Sequence, residues 1–286
     1  MISMKELTTV AIVYDFDGTL AAGNMQEYDF IPSVGMSVGE FWGGADHLAE
    51  EFDADSVLCY MEQMLSSARR VGRPITAASL REMGRSIPLF DGVEEWFDRV
   101  NNYGEERSLK IQHYVNSSGI REMIEGSAIA DKFHKIYASS FMYDAQGEAY
   151  WPAVAINYTN KTQFIFKINK GIESVRDSTR INEFLPREGR PIPFSRIIFV
   201  GDGLTDIPSM RLVHSLGGHA IAVYDPSRSD KRDDMLQLIR EGRVDYVCEA
   251  NYNAASQMNN LIERILDKIA ADTTLEKICK GCKDQK

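Results

Sequence analysis

The sequence predicts an α/β fold: a doubly wound, Rossmann-like parallel sheet with a helical insertion after its first strand and a β-hairpin insertion after its third. Three observations point there. Short apolar runs rich in Val, Ile and aromatic residues alternate with longer segments of helical period. Several runs are apolar nearly throughout, as suits parallel strands covered on both faces. Acidic and hydroxyl side chains follow the carboxyl ends of these runs, where open α/β sheets carry their chemistry.

The elements follow in order. Val10–Tyr14 reads as the first strand, running into VYDFDGTL (13–20). A long strandless stretch comes next, in which Gly39–Glu51, Ala54–Arg70 and Thr76–Ser86 read as amphipathic helices with Ala, Met and Leu on their inner faces. Ser86–Gly92 reads as the return, so residues 1–20 and 88–286 are expected to form the core and 21–87 a helical cap. A helix over Val93–Asn101 leads to strands at Ile111–Val115 and Lys135–Ala138. Ser139–Tyr158 then reads as a hairpin, two apolar arms flanking Asp-Ala-Gln-Gly. A helix capped by Asn160 and stopped by Gly171 follows, then an extra surface helix and loop within Glu173–Phe194. Strands at Ile197–Val200, Ala220–Tyr224 and Val244–Cys248, with helices over Met235–Glu241 and Ala255–Ala270, complete the alternation. No internal repeat or low-complexity linker interrupts it.

Composition narrows the function. A chain of 286 residues suits one large domain with an insertion, and this length buries roughly 75% of the unfolded surface without staples. The net charge of −10 argues against nucleic acid and anionic membrane as partners, since both reward clustered Lys and Arg. A small phosphorylated metabolite remains compatible, needing only a local positive pocket or a metal. No run approaches the ~18 apolar residues of a membrane span, and the N-terminal apolar run is too short for a signal peptide. Four cysteines are no disulfide framework, so a reducing cytoplasm is the expected compartment. Cys279 and Cys282 form a CxxC with no second pair or His pair nearby, and the tail around them reads as a fraying end. His113 lies inside an apolar strand and reads as a core residue; His47, His134, His214 and His219 lack zinc spacing. Trp42, Trp96 and Trp151 read as packing residues.

The chemistry sits at the strand ends. Asp15 and Asp17 follow the first, Ser117 the second, Asp202 and Asp206 the fourth of the core. Taken alone, DFDG is a tight Asx turn and GDGLTD (201–206) a turn ending in a helix cap. Together, converging carboxylates repel one another unless a cation sits among them. Hard oxygen donors with little His or Cys nearby point to Mg²⁺.

DFDGTL, NSSG (116–119) and GDGLTD, in this order, resemble the motifs of the haloacid dehalogenase-like superfamily, over nearly the whole chain; a helical insert after the first motif is similar to the phosphoserine phosphatase-like branch. The resemblance implies Asp15 as nucleophile, forming an aspartyl-phosphate, and Asp17 as general acid and base. Relatives that cleave carbon–halogen bonds lack the second Asp, so Asp17 favours phosphotransfer. It further implies Mg²⁺ held by the Asp15 and Asp202 carboxylates and the Asp17 carbonyl, with Asp206 an outer partner. Ser117 and nearby amides, those of Ser118 and Gly119, would hold a phosphoryl oxygen; Ser118 competes with Ser117 for the hydroxyl role. The required lysine falls on Lys161, with Lys170 and Lys167 as alternatives. Lys161 is favoured because it sits at a helix N-terminus, where a cation needs an anion beside it, although the long 173–194 segment departs from compact relatives.

Substrate identity is less legible. Phosphoserine phosphatases place acids soon after the first motif, and here Glu27 is the one candidate, displaced in sequence. Arg69 and Arg70 suit a solvated helix face better than a substrate carboxylate. The expected function is a Mg²⁺-dependent phosphomonoesterase on a small phosphorylated metabolite. Its rivals are a phosphotransferase or mutase through the same intermediate and a non-catalytic phosphate-binding protein. The insert is expected to act as a lid that selects the leaving group, through Met25, Glu27, Trp42 or Arg69, and to add little to the chemistry.

Overall fold

The computed structural model describes residues 7–283. Seven strands, β1 (Thr8–Tyr14), β2 (Leu109–Ile120), β3 (Lys135–Tyr143), β4 (Ala149–Val154), β5 (Ile197–Gly201), β6 (His219–Tyr224) and β7 (Tyr246–Glu249), form one sheet in the order β4-β3-β2-β1-β5-β6-β7. All pairs are parallel except β3 with β4. The chain builds outward from β1 on one side and then from β5 on the other. β1 and β5 therefore flank the switch in strand order, where open sheets form a crevice at their carboxyl ends.

The helices are α1 (Phe30–Ser33), α2 (Val38–Phe52), α3 (Ser56–Arg70), α4 (Ala77–Gly84), α5 (Val93–Glu106), α6 (Arg121–Gly126), α7 (Lys161–Asn169), α8 (Thr179–Asn182), α9 (Ile207–Ser215), α10 (Ser229–Arg240) and α11 (Gln257–Lys283). Strand β1 shows why helices cover both faces. Val10, Ile12 and Tyr14 enter one buried cluster with Trp96, Phe97, Ile262 and Leu266. Ala11 and Val13 enter another, with Phe164, Ile165, Met210 and Val213. Alternate residues of one strand thus feed opposite cores, and α5 and α11 lie across the sheet from α7 and α9.

Local chemistry sets the insert. Capping boxes at Ser37/Glu40 and Thr76/Ser79 start α2 and α4, and the Asp55 carboxylate accepts from the Val57 and Leu58 amides at the start of α3. The outgoing and returning chains lie side by side, with Ala21 bridged to Leu89. The insert also touches the core far from this neck. A Cβ on Gly84 would lie 2.0 Å from the Met123 carbonyl and one on Gly126 1.9 Å from that of Arg81, so α4 and α6 pack backbone to backbone. The Ala149 amide donates to the Ile75 carbonyl at 2.7 Å, tying the insert to β4.

Three expectations change. The hairpin does not follow the third strand: β3 itself continues to Tyr143 as its first arm, because Asp144 organises the turn by accepting from the Gln146 and Glu148 amides. Trp151 is 62% exposed rather than packed, since β4 is the sheet edge. The segment around the CxxC, expected to fray, is helical as far as it is described: α11 runs to Lys283 with Cys279 and Cys282 both exposed, and residues 284–286 of the tail lie outside the described residues. The segment before β5 holds the short α8. Among the described residues no helix is long and apolar enough to cross a membrane.

His113 is a buried member of β2. Trp96 donates to the Tyr14 hydroxyl oxygen at 2.8 Å, Tyr14 lies 3.1 Å from His113 Nδ1, and Nε2 lies 3.2 Å from Asn101 Oδ1. Burial pushes the His113 pKa down to about 3. Below about 6.5 the unfolded chain gains a proton that the folded chain refuses, so stability falls with pH by up to about 1.4 kcal/mol per unit until pH nears 3. In His113→Gln, denaturant titrations across this window should show a shallower loss than in the unaltered chain. Parallel slopes would contradict a buried neutral imidazole.

Candidate active site

The Asp15 amide donates to the Val200 carbonyl at 2.9 Å, so β5 carries β1 pairing one residue past Tyr14. The Asp15 carboxylate, buried, takes the Phe16 amide on Oδ1 at 2.7 Å and the Lys161 ammonium on Oδ2 at 2.9 Å. The chain then turns tightly, the Phe16 carbonyl accepting from the amides of Thr19, Leu20 and Ala21. Gly18 has φ +71°, and a Cβ there would sit 2.1 Å from Asp202 Oδ2. Both the left-handed backbone and the close carboxylate exclude a side chain. Asp17, partly buried, accepts the Met25 amide on Oδ1 at 3.1 Å, so the first turn of the insert fixes the second aspartate.

The GDGLTD segment closes the same site from the end of β5. Thr19 Oγ1 donates to Asp202 Oδ1 at 3.4 Å. Asp206 precedes α9 but its side chain caps nothing; Oδ1 accepts from Lys161 at 2.7 Å and Oδ2 from the Gly203 amide at 3.3 Å. Lys161, the first residue of α7, is 0% exposed. Its amide donates to the Asn157 carbonyl at 3.0 Å and its carbonyl accepts from Asn116 Nδ2 at 2.9 Å. Asn160, expected as the helix cap, makes no such bond; its Nδ2 goes to the Ala155 carbonyl, and Asn157 Oδ1 takes the loop amides instead. The alternative lysines lie elsewhere. Lys167 donates to the carbonyls of Ser174 and Asp177, and Lys170 to those of Ile181 and Glu183.

Ser117 is buried, its Oγ accepting the Gly119 amide at 3.1 Å, and the Ser118 carbonyl accepts from Tyr60. These residues lie where the β2–β3 register breaks, between Asn116 and Ile120. Expected to follow the strand, they stand inside β2, which runs on to Ile120. A Cβ on Gly119 would meet Met25 Cε at 2.2 Å and Asp17 Oδ2 at 3.0 Å, so this part of β2 packs closely against the second aspartate. Glu27 does not join the aspartates; its Oε1 accepts from Asn24 and from Trp42 Nε1 at 2.8 Å. Arg69 and Arg70 are exposed. Asn116, Asn157 and Thr19 are site supports that motif reading passed over. For Asn116 the usable signal is an amide side chain ending an apolar strand.

Oxygens of Asp15, Asp202 and Asp206 lie within 4.8 Å of one another. Burial, then Asp15 and Asp202, hold the Asp17 carboxyl well above its usual range, against the Met25 amide and Lys161. Burial, then Asp15 and Asp206, do the same to Asp202, and Asp206 is pushed up to about 7 by burial and Asp15 despite Lys161. Burial opposes the Lys161 charge, but Asp15 and Asp206 outweigh it and raise its pKa. One ammonium therefore faces several carboxylates. Clustered hard oxygens with excess negative charge, and among the described residues no thiol or imidazole in the cluster, fit Mg²⁺.

The family model of haloacid dehalogenase-like hydrolases matches residues 12–211. The chain belongs to this family. It is 27% identical over 297 residues to an uncharacterized protein of Borreliella burgdorferi, covering 94% of this chain and 96% of that one. Among solved structures it is similar to the phospho-aspartyl intermediate analogue of phosphoserine phosphatase (16% identity, 90% of this chain and 99% of that one, TM-score 0.53). It also resembles a haloacid dehalogenase family hydrolase of Salmonella enterica serovar Typhi (16%, 91% and 72%, 0.54). A probable phosphoserine phosphatase of Vibrio cholerae is similar as well (12%, 94% and 69%, 0.56). The fold is thus the Rossmann-like core expected for the phosphoserine phosphatase-like branch.

Two glycine substitutions separate backbone strain from loss of the site. Gly18→Ala should drive Asp202 aside and cut hydrolase activity by about a hundredfold or more, the scale of about 1 Å of misplacement within a site. Gly35→Ala, at φ +69° with open space around it, should cost about 1–2 kcal/mol of stability and leave activity intact. Activity assays paired with thermal melts decide it; equal activity in the two variants would contradict the tight Gly18–Asp202 approach.

Proposed function

We propose that this hydrolase is a Mg²⁺-dependent phosphomonoesterase that cleaves a small phosphorylated metabolite through an aspartyl-phosphate. The observation that carries the reading is the buried Lys161 ammonium joining Asp15 to Asp206, with Asp202 in the same cluster and Asp17 beside it. A site built only to bind phosphate has no use for excess carboxylate. The similarity to phosphoserine phosphatases supports the branch and leaves the substrate open.

In the first step an Asp15 oxygen bonds to phosphorus as the ester P–O bond breaks, and Asp17 gives its proton to the departing alkoxide. The direction of the Asp17 shift suits this, since burial and the neighbouring Asp15 favour the protonated carboxyl, the form that can donate. In the second step water attacks phosphorus, Asp17 takes the proton and Asp15 leaves, releasing phosphate. Lys161 fixes the Asp15 carboxylate and offsets its charge against an anionic substrate. Ser117, with the amides of Ser118 and Gly119, would hold the phosphoryl oxygens. Asp15, Asp202 and the Asp17 carbonyl would hold Mg²⁺, with Asp206 behind them; the ion supplies charge stabilisation for the transferring phosphoryl group. Residues 21–87 would form the cap, in which Met25 holds Asp17 through its amide, and Glu27 and Trp42, bonded to each other, are the further candidates to meet a leaving group.

A screen of phosphorylated metabolites with and without Mg²⁺ tests this. EDTA should silence hydrolysis, Mg²⁺ should restore it, and Ca²⁺ should substitute poorly because its larger, looser shell misplaces the in-line geometry. Asp15→Asn should lose at least about a thousandfold in kcat while keeping its melting temperature within a few degrees. Full activity in chelated buffer, or substantial turnover by Asp15→Asn, would remove the mechanism.

A further inference from the structure

Helix α3 lies in the insert, yet Tyr60 within it and Asp55 at its N-cap reach the Ser117–Gly119 segment of β2 and the turn that leads into α7. The Tyr60 hydroxyl donates to the Ser118 carbonyl at 2.5 Å. Asp55 uses Oδ1 to cap α3 and Oδ2 to accept from Asn157 Nδ2 at 2.5 Å. From Asn157 the contacts run on: its carbonyl takes the Lys161 amide, and the Lys161 carbonyl takes Asn116 Nδ2. Asn116 leads along the chain through Ser117 to Ser118, where Tyr60 arrived. The hydrogen bonds therefore close into a loop through α3, the Ser117–Gly119 segment and the start of α7. Ser139, whose Oγ accepts the Ile156 amide at 3.0 Å, braces the same loop from β3.

We propose that α3 closes this circuit to hold Ser117 and Lys161 at their working separation, making Tyr60 and Asp55 positioning residues for the phosphoryl group. The inference rests on the phosphatase reading and alters one part of it: the insert is more than a selector of leaving groups. The two phosphate-contacting groups come from different elements, β2 and α7. Their direct link is the Asn116–Lys161 bond, which acts on backbone and leaves each segment free to pivot. Contacts at Ser118 and Asn157 remove that freedom from the far side. Tyr60 is buried, so its hydroxyl has no water to replace a lost acceptor. Neither contact touches the leaving group, so its loss should weaken every ester alike.

Tyr60→Phe removes one oxygen, and Asp55→Ser keeps a good helix cap while losing the reach to Asn157. Each should lower kcat/KM by about tenfold on both p-nitrophenyl phosphate and β-glycerophosphate, and raise the inhibition constant of inorganic phosphate by a similar factor. Thermal melts should move by only a few degrees. Because either break opens the same circuit, the double variant should lose much less than the product of the two. An unchanged phosphate constant, a loss confined to one ester, or fully multiplicative losses would overturn the circuit and return α3 to a selective or merely structural role. An unaltered protein that hydrolyses neither ester and binds no phosphate would instead overturn the phosphatase reading beneath it.

Discussion

The Lys161 ammonium, fully buried between Asp15 and Asp206, is the contact on which the site depends. A cation at the first residue of a helix opposes the helix dipole, and its burial removes hydration worth several kcal/mol. Only the two carboxylates make the position tenable. Deleting one partner of such a pair leaves an unpaired buried charge, at about 3–5 kcal/mol. The contact joins three separate elements at one point: the end of β1, the start of α7 and the loop between β5 and α9. These lie at the switch in strand order, so the sheet brings them together before any side chain chooses a partner.

The neighbourhood is costly in ways that a purely structural site would avoid. Gly18 holds a left-handed turn against Asp202, Gly119 is pressed against Met25 and Asp17, and the acids left over from Lys161 are pushed toward neutrality by burial. Asn116 keeps Oδ1 buried without a donor while its amide serves the Lys161 carbonyl. Such local violations gather where function requires them. Farther out, the chain obeys ordinary rules: capped helices, alternating strands and close-packed glycines between α4 and α6.

Much of this was legible because it depends on short-range chemistry. Periodicity gave the parallel sheet, and the positions of Asp15, Asp17, Asp202 and Asp206 followed from strand ends. Dipole reasoning favours Lys161 over Lys170; Lys161 lies between Asp15 and Asp206, whereas Lys170 donates to the carbonyls of Ile181 and Glu183. Long-range pairing was hidden. Nothing near Tyr60 signals the Ser118 carbonyl, and nothing near Asp55, a sufficient helix cap in itself, signals Asn157. Trp151 reads as packed because apolar residues at a sheet edge carry the same pattern as buried ones, yet it stands exposed on β4. The pattern ends β3 at Ala138 because Ser139 and Ser140 look like a loop, although both are buried in the strand.

The central claim is that Asp15 carries the phosphoryl group in transit. Rapid acid quenching during turnover of ³²P-labelled ester, followed by peptide mass spectrometry, measures it most directly. The account predicts Mg²⁺-dependent, hydroxylamine-labile phosphate on the peptide containing Asp15, formed and lost at rates that sustain turnover. Label on another residue, or fast hydrolysis with no phosphorylated peptide even when breakdown is the slow step, would contradict it.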